Sequence, residues 1–141
     1  MARDEKLDLL RRIPLFGRLG AREIERLGQL TDEIDLPAGR SLMRQGEAGA
    51  ELFVIVAGSA TVERDGAVVA KSCGPGEILG EIALVDGGPR TATVTLDEAS
   101  RLLVLSRNAF RSLMDEFPSV REAVLETLAE RVRGLDRDAY N

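Results

Sequence analysis

Apolar residues recur at three-residue steps at Leu7 and Leu10 and again at Ile24, Leu27 and Leu30, with Ile13-Pro14-Leu15-Phe16-Gly17 between the two series. That spacing predicts two short helices flanking a proline turn within residues 1–30. From Ile34 the period falls to two or gives way to short apolar runs: Ile34/Leu36, Leu42/Met43, Leu52 to Val56, Ala60/Val62, Val68-Val69, Ala92/Val94/Leu96 and Leu102 to Leu105. Pro37-Ala38-Gly39, Gln45-Gly46-Glu47, Ala57-Gly58-Ser59 and Arg64-Asp65-Gly66-Ala67 punctuate them, the last with the Asp-Gly of a tight hairpin. Short strands at such intervals predict a barrel or jelly roll rather than a parallel sheet.

Helical spacing returns at Ser106 to Phe117, and Pro118 suits the first position of a second helix. The expected fold is therefore α+β and mainly β. An eight-stranded jelly-roll-like β-roll, residues 31–106, is flanked by N-terminal helices, 1–30, and two C-terminal helices, 107–141. No linker or repeat argues for a second domain, so the expectation is one domain over 1–141.

Composition narrows the chemistry. A chain of 141 residues buries a core without disulfides or metal. No apolar run approaches the ~20 residues of a membrane helix, no export signal is visible at the N-terminus, and the single cysteine, Cys73, forms no internal disulfide. Together these lead to the expectation of a cytoplasmic protein in which Cys73 is a small packing residue. The net charge of −5 argues against direct nucleic-acid binding. The absence of histidine removes Ser-His-Asp and Cys-His chemistry and histidine-ligated zinc.

The glycine-rich stretch from Gly74 to Val94 remains to be explained. Glycine lets backbone amides approach an anion closely. The dinucleotide fingerprint fails on spacing, since Leu79 stands where its third glycine belongs, and the P-loop fails because Gly80 is followed by Glu81. What is left is Gly80-Glu81-Ile82-Ala83-Leu84, a loop, and Arg90-Thr91-Ala92-Thr93-Val94 with Pro89 before the arginine. A helical turn starting at Glu81 points the amides of Ile82 and Ala83 into a small cavity, and Arg90 closes on the same anion with a bidentate guanidinium. Glu81 is a poor neighbour for a phosphate but a good acceptor for a hydroxyl. The ligand expected is one anionic group with a hydroxyl beside it.

"GEILGEIALVDGGPRTATV" resembles the phosphate-binding cassette, here residues 80–94, of the cyclic nucleotide-binding domain family, which includes catabolite activator sensors, kinase regulatory subunits and gated channels. The resemblance extends to "IPLFGRLGAREIERL", "LPAGRSLMRQGEAGAELFVIVAGSATV" and "LLVLSRNAFRSLMDEFP". It implies that Glu81 takes the ribose 2′-hydroxyl and Arg90 the cyclic phosphate, that Gly80 permits close approach, and that the amides of Ile82, Ala83 and Thr91 complete the cradle. Leu79 departs from the family's frequent phenylalanine. The ligand implied is cAMP or cGMP, with the Thr91 hydroxyl available to a syn guanine or to the phosphate, and no cofactor is implied. The catabolite-activator type continues into a helix-turn-helix, absent before Asn141, so transcriptional activity is not expected of this chain.

Leu125, Leu128, Val132, Leu135 and Ala139 fall at heptad positions on the last helix, interrupted at Gly134. They read either as a homodimer seam or base lid, or as a stripe packed on the barrel; Arg131 beside them reads as a base contact or as a solvated arginine. The leading functional expectation is a non-enzymatic cyclic-nucleotide sensor acting on an output partner or attached effector. Its rivals are a structural roll that binds no ligand and a cyclic phosphodiesterase using Glu81 or Asp86.

Overall fold

The computed structural model describes the backbone of residues 1–140 and the side chains of residues 1–135. Ala139 of the heptad stripe therefore lies outside the residues whose side chains are described. Contacts gather into two compact units, one helical and one mainly β: Met1–Leu30 with the chain from Arg111 onward, and Thr31–Phe110.

In the helical unit, α1 (Arg3–Arg11) and α2 (Ala21–Leu30) flank a 3-10 turn, Pro14–Phe16, as the apolar spacing predicts. Leu7 and Leu10 of α1 are buried, as are Ile24 and Leu27 of α2, and a Cβ on Gly28 would come to 2.7 Å from the Leu7 side chain, so a bare backbone lets the two helices meet. The unit also holds most of α4 (Arg107–Glu116) and all of α5 (Pro118–Tyr140), which begins at the anticipated proline. Ion pairs stitch its early and late segments together: Arg26 Nε to Glu116 at 2.9 Å, and Arg18 to Glu126 and Glu130. Along α5 the buried face is Val120, Ala123 and Val124, whereas Leu125, Val132 and Leu135 are exposed.

The second unit is a β-roll of two four-stranded antiparallel sheets, ordered β1-β8-β3-β6 and β2-β7-β4-β5. Its strands are β1 (Asp32–Leu36), β2 (Ser41–Met43), β3 (Glu51–Ala57), β4 (Ala60–Arg64), β5 (Ala67–Cys73), β6 (Ile78–Leu79), β7 (Thr93–Leu96) and β8 (Ser100–Ser106), with α3 (Glu81–Asp86) between β6 and β7. Met43, Phe53, Ile55, Ala60, Leu79, Val94, Leu96 and Leu102 form the core of the roll, with Ile34, Leu36, Val62 and Val104 packed against it. Eight strands in an α+β, mainly β fold agree with the sequence reading. β6 is the strand that its pattern leaves unlocated, because two residues carry no visible period.

The Asp65-Gly66 dipeptide makes the anticipated hairpin between β4 and β5, with φ of 53° and 78°, the positive pair that an Asp-Gly tight turn supplies. Ser106 Oγ accepts from the Ala109 amide at 3.0 Å and caps α4. Cys73 ends β5 half-buried against the core. Burial above all, then the carboxylates of Glu77 and Asp97, raises its thiol pKa, which suits a packing residue rather than a nucleophile.

Candidate functional site

After two residues of β6 the chain must turn from a strand into α3, and it does so at Gly80, whose φ of +83° lies in the left-handed region. Helix α3 follows at once. Its first amides have no partner within the helix, and Ala83 and Leu84 anchor its other face by burial. Beside it opens a cavity of about 370 Å³. Gly80, Glu81, Ile82, Ala83, Arg90 and Thr91 all line it, so the six residues singled out in the cassette converge on one space. Met43, Val62, Ile78, Leu79, Ala92 and Val94 supply apolar wall, and Arg64, Asp86, Gly88 and Pro89 complete the lining. Leu79 is buried opposite Phe53 in the β3/β6 pairing.

Arg90 is the unusual member. Only 7% of it is exposed. Its Nη2 donates to the main-chain carbonyl of Glu51 at 2.8 Å, while Nη1 is buried with no hydrogen-bond partner among the described residues. Burial lowers its pKa from the ordinary arginine value, and the Glu51 carboxylate offsets part of that shift. A buried guanidinium with an unused donor on a cavity is an arrangement that a bound anion completes, because an unpaired buried charge is costly. The other buried unpaired nitrogen, Nε of Arg107, does not line the cavity. That side chain donates through Nη2 to the Val85 carbonyl near the end of α3 at 3.3 Å.

The backbone around Arg90 is held by a segment that sequence reasoning treated only as a turn. Arg90 N donates to Glu47 O at 2.7 Å, Gly46 N to Arg90 O at 2.9 Å and Gly49 N to Gly88 O at 2.9 Å, with an isolated bridge between Ala48 and Pro89. Gly49 packs so closely that a Cβ there would stand 2.5 Å from Ala83 Cβ and 3.0 Å from the Arg90 guanidinium carbon. The signal available in the sequence was Gly46 and Gly49 three apart in one short loop, a spacing that fits a turn equally well.

Glu81 is half-buried at the head of α3, and Ile82 behind it is 53% exposed. Thr91 is exposed, and its carbonyl accepts from Arg64 Nε at 3.2 Å. Asp86 lines the cavity with its Oδ1 accepting from the Gly88 amide at 2.8 Å. No cluster of potential metal ligands occurs among the described residues. Arg131 is half-buried on α5, in the helical unit.

A left-handed glycine, the head of a short helix and a buried arginine thus line one cavity. The family model described as the cyclic nucleotide-binding domain matches residues 33–117, and the chain belongs to that family. It is 30% identical over 130 residues to a CRP-like cAMP-activated global transcriptional regulator of Mycobacterium tuberculosis, covering 89% of this chain and 58% of that protein. Among solved structures, the N-terminal domain of a transcriptional regulator from Streptomyces coelicolor A3(2) superposes with a TM-score of 0.83 at 34% identity, over 93% of this chain and 94% of that one. The regulatory domain of Toxoplasma gondii PKA, crystallised with cAMP, gives a TM-score of 0.71 at 31% identity, over 79% of this chain and 44% of that one. The chain thus spans little more than half of the mycobacterial regulator.

Proposed function

We propose that the chain is a regulatory sensor of a 3′,5′-cyclic purine nucleotide, with cAMP as its physiological ligand and cGMP as a second ligand. The observation that carries this reading is the buried Arg90, whose Nη1 has no partner among the described residues at the cavity it lines. In this reading Arg90 takes the cyclic phosphate. Gly80 allows close approach, the amides of Ile82, Ala83 and Thr91 complete the cradle, and Glu81 accepts the ribose 2′-hydroxyl. The mycobacterial regulator's cAMP-activated character and the cAMP bound in the PKA regulatory domain support the choice of ligand.

The ligand binds without being turned over. Glu81 and Asp86 line the cavity, but neither belongs to a metal cluster among the described residues, and with no histidine in the chain a general base would have to be a carboxylate beside a phosphate. Occupancy is relayed through α5, with Arg131 closing on the base, to an output partner or attached effector. That switch requires the nucleotide to bind one arrangement of α5 more tightly than the other. The exposed Leu125, Val132 and Leu135 offer a seam for a homodimer. The chain works in the cytoplasm as one domain over residues 1–141, and no helix among the described residues is long and apolar enough to cross a membrane.

Calorimetric titration with cAMP and cGMP tests the reading. Saturable binding is expected, without appearance of linear monophosphate on prolonged incubation. No heat and no thermal shift with either nucleotide would leave a structural roll that binds no ligand, and linear product at turnover rates would make the chain a phosphodiesterase.

A further inference from the structure

The unpartnered donor of Arg90 has a methionine beside it. Met43 ends β2 opposite Val94 of β7, where the pairing slips between Ser41 and Met43. Its side chain lines the cavity and is 9% exposed. Met43 and the guanidinium crowd one point: a Cβ built on Gly80 would stand 2.5 Å from Arg90 Nη1 and 3.3 Å from Met43 Cε. A thioether is a poor companion for that donor, because its sulfur is only a weak acceptor, and Nη1 stays without a partner among the described residues. The chain's other methionines, Met1 and Met114, and its cysteine, Cys73, do not line the cavity. The rest of the apolar wall, Val62, Ile78, Leu79, Ala92 and Val94, carries no oxidisable atom.

Resting on the reading of this cavity as a cyclic-nucleotide site, we infer that Met43 is a modification site: a hydroperoxide reaching the cavity converts its thioether to the sulfoxide, whose oxygen takes the Arg90 donor that the cyclic phosphate needs. With hydrogen peroxide, a sulfur lone pair attacks one peroxide oxygen and the O–O bond breaks as the S–O bond forms. The proton on the transferred oxygen passes to the departing hydroxide, which leaves as water. Sulfur gives up two electrons and the peroxide accepts them. A sulfoxide oxygen is a much better acceptor than a thioether, and a buried guanidinium with an unused N–H is the partner it lacks elsewhere on the apolar wall. Sulfoxide and phosphate thus compete for one nitrogen. The converse also holds, since a nucleotide filling the cavity shields the sulfur from the oxidant.

The test treats the parent and Met43→Leu with hydrogen peroxide, follows each methionine by peptide mass spectrometry, and titrates cAMP by calorimetry before and after treatment. In the parent, Met43 is expected to gain one oxygen, and to gain it more slowly when cAMP is present. The oxidised parent is expected to bind cAMP at least about tenfold more weakly and to recover when a methionine sulfoxide reductase is added. Met43→Leu is expected to hold its own starting affinity through the same treatment, although it retains Met1, Met114 and Cys73. Because Met43 belongs to the core of the roll, thermal unfolding separates competition for Arg90 from damage to packing: a cooperative transition is expected to survive oxidation. The proposal is overturned if Met43 gains no oxygen while the exposed Met1 does, if cAMP gives no protection, if the sulfoxide form binds cAMP as before, if Met43→Leu loses affinity equally, or if the cooperative transition disappears; each result leaves the cyclic-nucleotide site standing. An untreated parent that binds no cAMP overturns the site itself.

Discussion

Arg90 Nη1 lies 2.5 Å from where a Cβ on Gly80 would be built, so the two residues share a space that only a glycine leaves open. The constraint is doubled. Gly80 also has φ of +83°, and the same Cβ would meet the main-chain carbonyl of Glu51 at 2.8 Å, which cannot swing aside as a side chain can. Gly39 has the same φ of +83° but nothing within 4 Å, and so separates backbone strain from the clash. Gly39→Ala is expected to cost the left-handed strain alone, about 1–2 kcal/mol, with nucleotide binding intact. Gly80→Ala should lose more stability than that in urea unfolding and should also weaken cyclic nucleotides. Equal stability losses with unchanged binding would show that the space beside Arg90 is not needed.

Arg90→Ala removes the charge-assisted contact to the phosphate and leaves only backbone amides. Binding of cAMP should fall by roughly 2–4 kcal/mol, about thirty- to a thousandfold. The unliganded fold should change little, within about 1 kcal/mol, because losing the hydrogen bond to the Glu51 carbonyl is offset by removing a buried unpaired donor. Paired titration and thermal unfolding check both halves, and a variant that binds cAMP as tightly as the parent would remove the phosphate from this end of the cavity.

Glu81→Gln keeps the size of the side chain and weakens its acceptor. The expected result is a smaller preference for a ribose over a 2′-deoxyribose cyclic nucleotide, by a few-fold, given that a hydrogen bond to a charged group is worth about 1.5–3 kcal/mol and a neutral one about 0.5–1.5. Titrating cAMP and 2′-deoxy-cAMP against both proteins measures it. An unchanged ratio would detach Glu81 from the hydroxyl.

Much of this geometry was legible because local rules act over short spans. Short apolar runs placed Leu52 to Val56 and Leu102 to Leu105 on strands, which the structure pairs with each other, Asp65-Gly66 fixed a hairpin, and Gly80 to Arg90 read as a cradle from the residue types alone. The support for Arg90 was not legible in the same way. Its hydrogen bonds run to Glu47, Gly46 and Glu51, some forty residues earlier, and such pairings depend on how two loops meet rather than on any period. The closeness of Gly49 to Ala83 and Arg90 is likewise a contact between loops. The heptad stripe on α5 shows the limit from the other side: Val120, Ala123 and Val124 are buried while Leu125, Val132 and Leu135 are exposed, so apolar spacing alone did not tell which stripe a long helix covers.

The choice between bases should depend in part on Thr91, whose side chain follows Arg90 directly and lines the cavity while its carbonyl is held by Arg64. A hydroxyl there can accept from the 2-amino group of a syn guanine or donate to the phosphate. The first role is specific to guanine and the second is common to every cyclic nucleotide. One neutral hydrogen bond is worth about 0.5–1.5 kcal/mol net, so the effect of losing it is a few-fold. Thr91→Ala is expected to weaken cGMP more than cAMP by that factor, with the unliganded fold unchanged because Thr91 is exposed. Side-by-side titrations of parent and variant decide between the roles: equal losses for the two nucleotides would assign the hydroxyl to the phosphate alone, and a parent that rejects cAMP outright would overturn the choice of physiological ligand.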